Sequence, residues 1–132
     1  MRAVPEVHKY VGFAVVTLFG LLWFWPLTAW IIGKIRRVHG EPGSGYWGLV
    51  ATCQVILAIQ IVLGVILLAI HGIDAKPVLH YLYGSVFPII VLGGAHFFAR
   101  SMERDQWVPF AWGGFICFGL VLRALFTGLG IG

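Results

Sequence analysis

Two histidines with the same local spacing are the residues of this chain best suited to chemistry. His8 and His80 are each followed four positions later by a glycine, Gly12 and Gly84. Residues four apart lie on one face of an α-helix, so each glycine would leave space beside its imidazole. Neutral imidazole binds iron well, and two axial imidazoles suit a low-spin electron-transfer haem. The pair predicts one b-type haem with His8 and His80 as iron ligands, whereas either motif alone also fits an interfacial histidine that reaches water.

The composition places these motifs in a membrane protein. The chain is 60% hydrophobic and only 11% charged, and its mean hydropathy is +0.94. Soluble domains have about 25% charged residues. The basic pI near 9.4 therefore does not indicate nucleic-acid binding, because basic residues at membrane borders set topology and meet anionic lipid. Cys53 and Cys117 lie inside apolar segments without a CxxC pattern, which argues against a disulfide, a zinc site and covalent haem attachment.

Four apolar segments must position the histidines. They cover residues 8–33, 46–70, 77–99 and 107–130, and each is near the roughly 20 residues that cross a bilayer as a helix. Short connections make consecutive helices antiparallel. The predicted fold is an all-α integral membrane protein, an up-down bundle of four transmembrane helices forming a single domain over residues 1–132.

The basic residues favour one orientation of this bundle. Five of them flank the connections after the first and third helices and three lie at the other end: Lys34, Arg36, Arg37, Arg100 and Arg104 against Arg2, Lys9 and Lys76. Positive charge is enriched in cytoplasmic loops. The bias predicts a multi-pass protein of a bacterial or archaeal plasma membrane with both termini outside. His8 and His80 then lie at one depth near the outer face.

Three basic residues are candidates to hold haem propionates in that layer. Arg123 lies about 16 residues into the fourth helix, roughly 24 Å from its start. Lys9 and Lys76 are at the same end of the bundle. Basic side chains pair well with carboxylates, so we expect these three to contact the propionates. The alternative for Arg123 is an extended side chain that meets lipid phosphate.

The remaining polar residues within the spans have more than one interpretation. Gln60, in the middle of the second helix, is expected either to contact the cofactor or a quinone, or to hydrogen-bond to a neighbouring helix. His71 ends the second helix at the histidine layer and is a reserve ligand. His96 follows His80 by 16 residues, about 160° around the helix, so we expect a polar contact outside that pocket. His39 is expected to be solvated.

Three short motifs resemble one half of the haem A synthase superfamily. They are HKYVG at residues 8–12, QIVLG at residues 60–64 and LHYLYG at residues 79–84. The resemblance implies a four-helix haem-binding half in which His8 and His80 ligate the iron. The chain departs from the family because Glu6 stands two residues before the first histidine instead of three. It also lacks the outer-loop cysteine pair and comprises one half only, so the resemblance supports a b-haem bundle better than haem oxidation.

Three functions follow as expectations. The first is a membrane b-type cytochrome that transfers electrons within a larger redox complex, beside other membrane subunits or as a homodimer, with a quinone as a further partner. The second is a half-size haem A synthase-like enzyme that oxidises a haem methyl group. The third is a subunit of a respiratory or photosynthetic assembly that is structural or binds a chlorophyll-type pigment.

Overall fold

The computed structural model describes residues 3–131, which form four long helices and no strand. The helices are α1 (Ala3–Arg36), α2 (Gly45–His71), α3 (Val78–Arg100) and α4 (Trp107–Leu129), and each is long and apolar enough to cross a membrane. A 3₁₀ turn, Ile73–Ala75, precedes α3. The early part of α3 contains a π-helical segment, Leu82–Val86. The predicted all-α four-helix membrane fold is confirmed.

The main packing contacts join α1 to α4, α3 to α4, and α1 to α2. Phe19 and Leu22 of α1 are completely buried in the core. The α1–α4 crossing is close because a Cβ placed on Gly114 would lie only 2.9 Å from Leu22 Cβ. Small residues of this kind let membrane helices approach. The spatial order is therefore α2, α1, α4, α3, so the consecutive helices α2 and α3 are not among the closely packed pairs.

Both prolines inside the spans leave a carbonyl without its usual helical donor. At Pro26 the orphaned carbonyl belongs to Leu22, and the Tyr46 hydroxyl of α2 donates to it at 2.5 Å. Tyr46 is fully buried. At Pro88 the helix instead adopts the π-helical segment over the preceding turn. The carbonyl freed by Pro26 thus forms a hydrogen bond between α1 and α2. Pro88 is accompanied by a change in backbone conformation just after His80.

The bundle has two distinct ends. The terminal end contains Ala3, Ile131 and the α2–α3 connection, and the loop end contains the α1–α2 and α3–α4 connections. Large apolar side chains such as Phe24, Ile90 and Phe97 cover the outer surface. This apolar surface is what a lipid bilayer requires.

Candidate functional site

A cavity of about 740 Å³ opens at the terminal end and is lined by residues of all four helices. Seven of the eight residues predicted to bind a cofactor line it, together with the reserve ligand: His8, Lys9, Gly12, Gln60, Lys76, His80, Gly84 and His71. Its volume lies within the roughly 300–1,000 Å³ of typical cofactor sites. The folded chain therefore gathers residues separated by more than 70 positions around one space.

His8 and His80 lie next to each other in the wall of this cavity. Their ring centres are 6.3 Å apart and their planes make an angle of 79°. Both side chains are half-buried. His8 lies in the second turn of α1, because that helix begins at Ala3 instead of at the predicted residue 8.

The orientation of His80 is set by α4. Its Nδ1 lies 2.8 Å from the carbonyl oxygen of Ala124, and the Thr127 hydroxyl donates to the same carbonyl. A carbonyl can only accept, so Nδ1 carries the proton and Nε2 keeps its lone pair. The ring also fills the space beside Gly128, where an added Cβ would lie 2.8 Å from His80 Cε1. This hydrogen bond, which leaves Nε2 available, is typical of histidines that bind metals.

His8 packs against α2 and leaves polar atoms unpaired. A Cβ placed on Gly64 would lie 3.3 Å from His8 Cε1. The Nδ1 atom of His8 and the Oε1 atom of Gln60 are both buried, and neither has a hydrogen-bond partner among residues 3–131. Unpaired buried polar atoms cost about 1–3 kcal/mol each. Both atoms belong to residues that line the cavity, so the pairing of these groups depends on what the cavity holds.

The two motif glycines permit helix packing as well as lining the cavity. A Cβ on Gly12 would lie 3.1 Å from the Gln60 amide nitrogen, and one on Gly84 would lie 3.5 Å from Ala124 Cβ. The space beside each glycine is therefore partly taken by a neighbouring helix.

The predicted propionate-binding residues differ in position. Lys9 and Lys76 line the cavity, and the Lys76 ammonium donates to the Gly128 carbonyl oxygen. Glu6 also lines the cavity. Arg123 is exposed and is not among the lining residues. The fourth helix thus turns Arg123 to the outside although it has the expected depth.

The other two histidines lie towards the loop end. His96 Nε2 is 3.1 Å from Gln54 Oε1, so it links α3 to α2 outside the cavity, as expected. His39 was expected to be solvated. Although half-exposed, it donates to Asp105 at 2.7 Å and bridges the two loops. This hydrogen bond from His39 holds the pKa of the Asp105 carboxyl below its usual value.

Sequence reasoning missed the residues of α4 and α2 that hold the imidazoles. Ala124, Thr127 and Gly128 support His80, and Gly64 accommodates His8. Ala124 and Gly128 are small residues one helical turn apart on α4. This spacing indicates a face of α4 on which another side chain can lie close to the helix, at the level of the two histidines.

No protein family, curated protein or solved structure gives a significant match to this chain. The site is therefore interpreted from its own geometry.

Proposed function

We propose that this protein is a membrane b-type cytochrome in which His8 and His80 are the axial ligands of one haem. The observation that carries the proposal is the 6.3 Å separation of the two ring centres. Metal–imidazole bonds are about 2 Å long, and each nitrogen is about 1 Å from its ring centre, so axial imidazoles stand roughly 6 Å apart. The steep angle between the rings is compatible, because each ring can rotate about its metal–nitrogen bond.

The surrounding residues fit the same group. His80 Nε2 is unprotonated because Nδ1 donates to Ala124, which leaves a lone pair for iron. Lys9 and Lys76 supply positive charge at the cavity for two propionates. Gln60 also lines the cavity, and its amide group can donate to a propionate oxygen. A bound haem would supply one-electron transfer, and these residues would bind and orient it.

Residues 3–131 all belong to the bundle or to the connections between its helices. Its connections are short, and the cavity opens at the terminal end beside lipid-facing helices. We infer that electrons pass to another membrane subunit, to a second copy or to a quinone. The charge bias supports an orientation with the terminal end outside the plasma membrane and the five basic border residues in the cytoplasm.

A reduced-minus-oxidised visible spectrum of the purified protein tests the haem. Wild type should show the α-band of a low-spin bis-histidine b-haem. His8→Ala and His80→Ala should each remove it, whereas the control His96→Ala should keep it, because His96 lies outside the cavity. A wild-type protein without haem, or with a red-absorbing pigment in acetone extracts, would contradict the proposal.

A second candidate function is oxidation of a haem methyl group. The offset of Glu6 from His8 in the sequence counts against it, whereas the place of the Glu6 side chain in the cavity wall favours it. This carboxylate lines the cavity two residues from His8. A carboxylate beside a bound substrate can accept a proton. Expression with a source of haem O, followed by chromatography of extracted haems, separates the two functions. If wild type produces haem A and Glu6→Gln does not, the protein is the enzyme. If the haem O remains unchanged in wild type, the cytochrome function is supported instead.

A further inference from the structure

A second cavity, of about 880 Å³, lies between α1 and α4 towards the loop end. We call it the α1/α4 groove. Aromatic side chains form its walls, with Trp23 at the inner end and Trp30, Trp112 and Phe115 along its length. Trp30, Trp112 and Phe115 are 46%, 66% and 51% exposed. These apolar walls are open to the bilayer, so their natural occupant has a hydrocarbon part.

The length of the groove matches one leaflet of a bilayer. Trp23 and Lys34 are 11 residues apart on α1, which corresponds to roughly 16 Å along the helix. Half of the hydrocarbon core is about 15 Å thick. An acyl chain that lies against the aromatic walls would therefore join its headgroup at the depth of Lys34, where the polar border of the membrane begins.

Two basic side chains stand at the mouth of the groove. Lys34 and Arg37 line it, and neither forms a salt bridge with a carboxylate among residues 3–131. The Lys34 ammonium lies 5.3 Å from the centre of the Trp30 ring, which holds it against the groove wall. Asp105 lines the mouth and Glu41 lies beside it, but both carboxylates are directed at His39, at 2.7 and 3.6 Å, instead of at Lys34 or Arg37. Two basic groups thus remain available for an anion.

The chain geometry at the end of α1 brings this charge to the groove. Arg37 ends the helix with a positive φ of 57°, and Val38 N donates to the Gly33 carbonyl at 2.9 Å. The next residues fold back, so that a Cβ on Gly40 would lie 2.4 Å from the carbonyl oxygen of Ala29. The loop is therefore packed against α1, which keeps the basic mouth in place.

We propose that the α1/α4 groove binds one anionic phospholipid of the leaflet at the loop end. Lys34 and Arg37 bind its phosphate, and one acyl chain lies along Trp30, Trp112 and Phe115 towards Trp23. The site does not depend on the haem at the terminal end. A zwitterionic lipid of the same chain length would fill the groove, but the cation of its headgroup would be repelled by Lys34 and Arg37.

Native mass spectrometry of delipidated protein in detergent tests the proposal with phosphatidylglycerol and phosphatidylcholine of identical acyl chains. Each basic residue near a surface contributes roughly a fivefold preference for anionic lipid, so two should give about 30-fold tighter binding of one phosphatidylglycerol. Lys34→Gln combined with Arg37→Gln should abolish the preference. The matched control, Arg100→Gln with Arg104→Gln, removes two cations at the same end outside the groove and should retain it.

Ala111→Phe provides an independent variant, because Ala111 lines the groove and its charge does not change. It should weaken binding of both lipids by blocking the acyl chain. Equal lipid affinities in wild type, or an equal loss in the control pair, would overturn the proposal. A dimer that Ala111→Phe dissociates, without any lipid preference, would also overturn it, because a second copy would then occupy the groove.

Discussion

At the scale of single residues, the backbone of a neighbouring helix fixes the orientation of His80. The Ala124 carbonyl accepts a hydrogen bond from Nδ1–H, and Gly128 provides the space in which the ring lies. Such supporting contacts fix the tautomer and ring orientation of ligating histidines. The proposed ligation therefore requires α4 as much as it requires the two histidines.

Gly128→Ala should weaken haem binding without touching a ligand. The added Cβ would lie 2.8 Å from His80 Cε1, so the anchored ring must move. Loss of a supporting contact typically lowers metal affinity by about 10–100-fold. Haem per protein, measured as the pyridine haemochrome during dilution in detergent, should fall accordingly. Gly119→Ala is the matched control, because its Cβ would meet no atom within 4 Å; equal haem loss in both variants would contradict this role.

The sequence predicted the depth of these residues better than the direction in which they point. His8 and His80 could be paired because depth follows from helix length and topology. Arg123 has a comparable depth but is exposed, whereas the adjacent Ala124 is buried. Neighbouring residues on a helix point about 100° apart. Which one faces the cavity depends on the rotation of α4 against α3, and the nearly uniform apolarity of that helix does not reveal it.

At the scale of the helices, length and apolarity were enough to predict four spans, but not their ends or irregularities. α1 begins at Ala3 because Pro5 and Glu6 suit a first helical turn, although they are outside the apolar run. The π-helical segment at Leu82–Val86 was not predicted. Pro88 removes a helical hydrogen bond at this point, but the backbone form that results depends on packing against α4.

The Tyr46–Leu22 hydrogen bond should stabilise the α1–α2 pair only because Pro26 is present. Tyr46→Phe leaves the Leu22 carbonyl buried without a donor and should lower the free energy of unfolding by about 1 kcal/mol. In a Pro26→Ala background, residue 26 regains an N–H that bonds to this carbonyl. The same Tyr46→Phe change should then cost less. Denaturation in mixed detergent micelles measures this double-mutant cycle.

Additive free energies in that cycle would show that the tyrosine does not compensate for the proline. Tyr10→Phe is a suitable control for the loss of a hydroxyl, because Tyr10 is exposed on the same helix pair. Its effect should be within about 0.5 kcal/mol of zero.

At the scale of the whole molecule, the order α2, α1, α4, α3 explains why a cavity exists. The helices α1 and α4 form the packed centre, while α2 and α3 are held from one side each. At the terminal end this arrangement leaves a cavity of about 740 Å³ that both histidines line. The short connections predicted antiparallel neighbours but not this order, because packing partners are chosen by small residues such as Gly114 and by Tyr46.

The proposed orientation can be tested on the same whole-molecule scale by cysteine labelling. Both native cysteines are buried, with Cys53 at 1% and Cys117 at 0% exposure, so they should not react. Asp74→Cys places a thiol on the α2–α3 connection, and Ser44→Cys places one on the α1–α2 connection. Both positions are exposed.

An impermeant maleimide should label Asp74→Cys in intact cells and label Ser44→Cys only after permeabilisation. The reason is the excess of basic residues at the loop end, which is retained in the cytoplasm during insertion. The reverse pattern would place the histidine layer at the cytoplasmic face. Because the 6.3 Å histidine spacing does not depend on orientation, that result would move the electron-transfer partner to the other side while leaving the haem proposal in place.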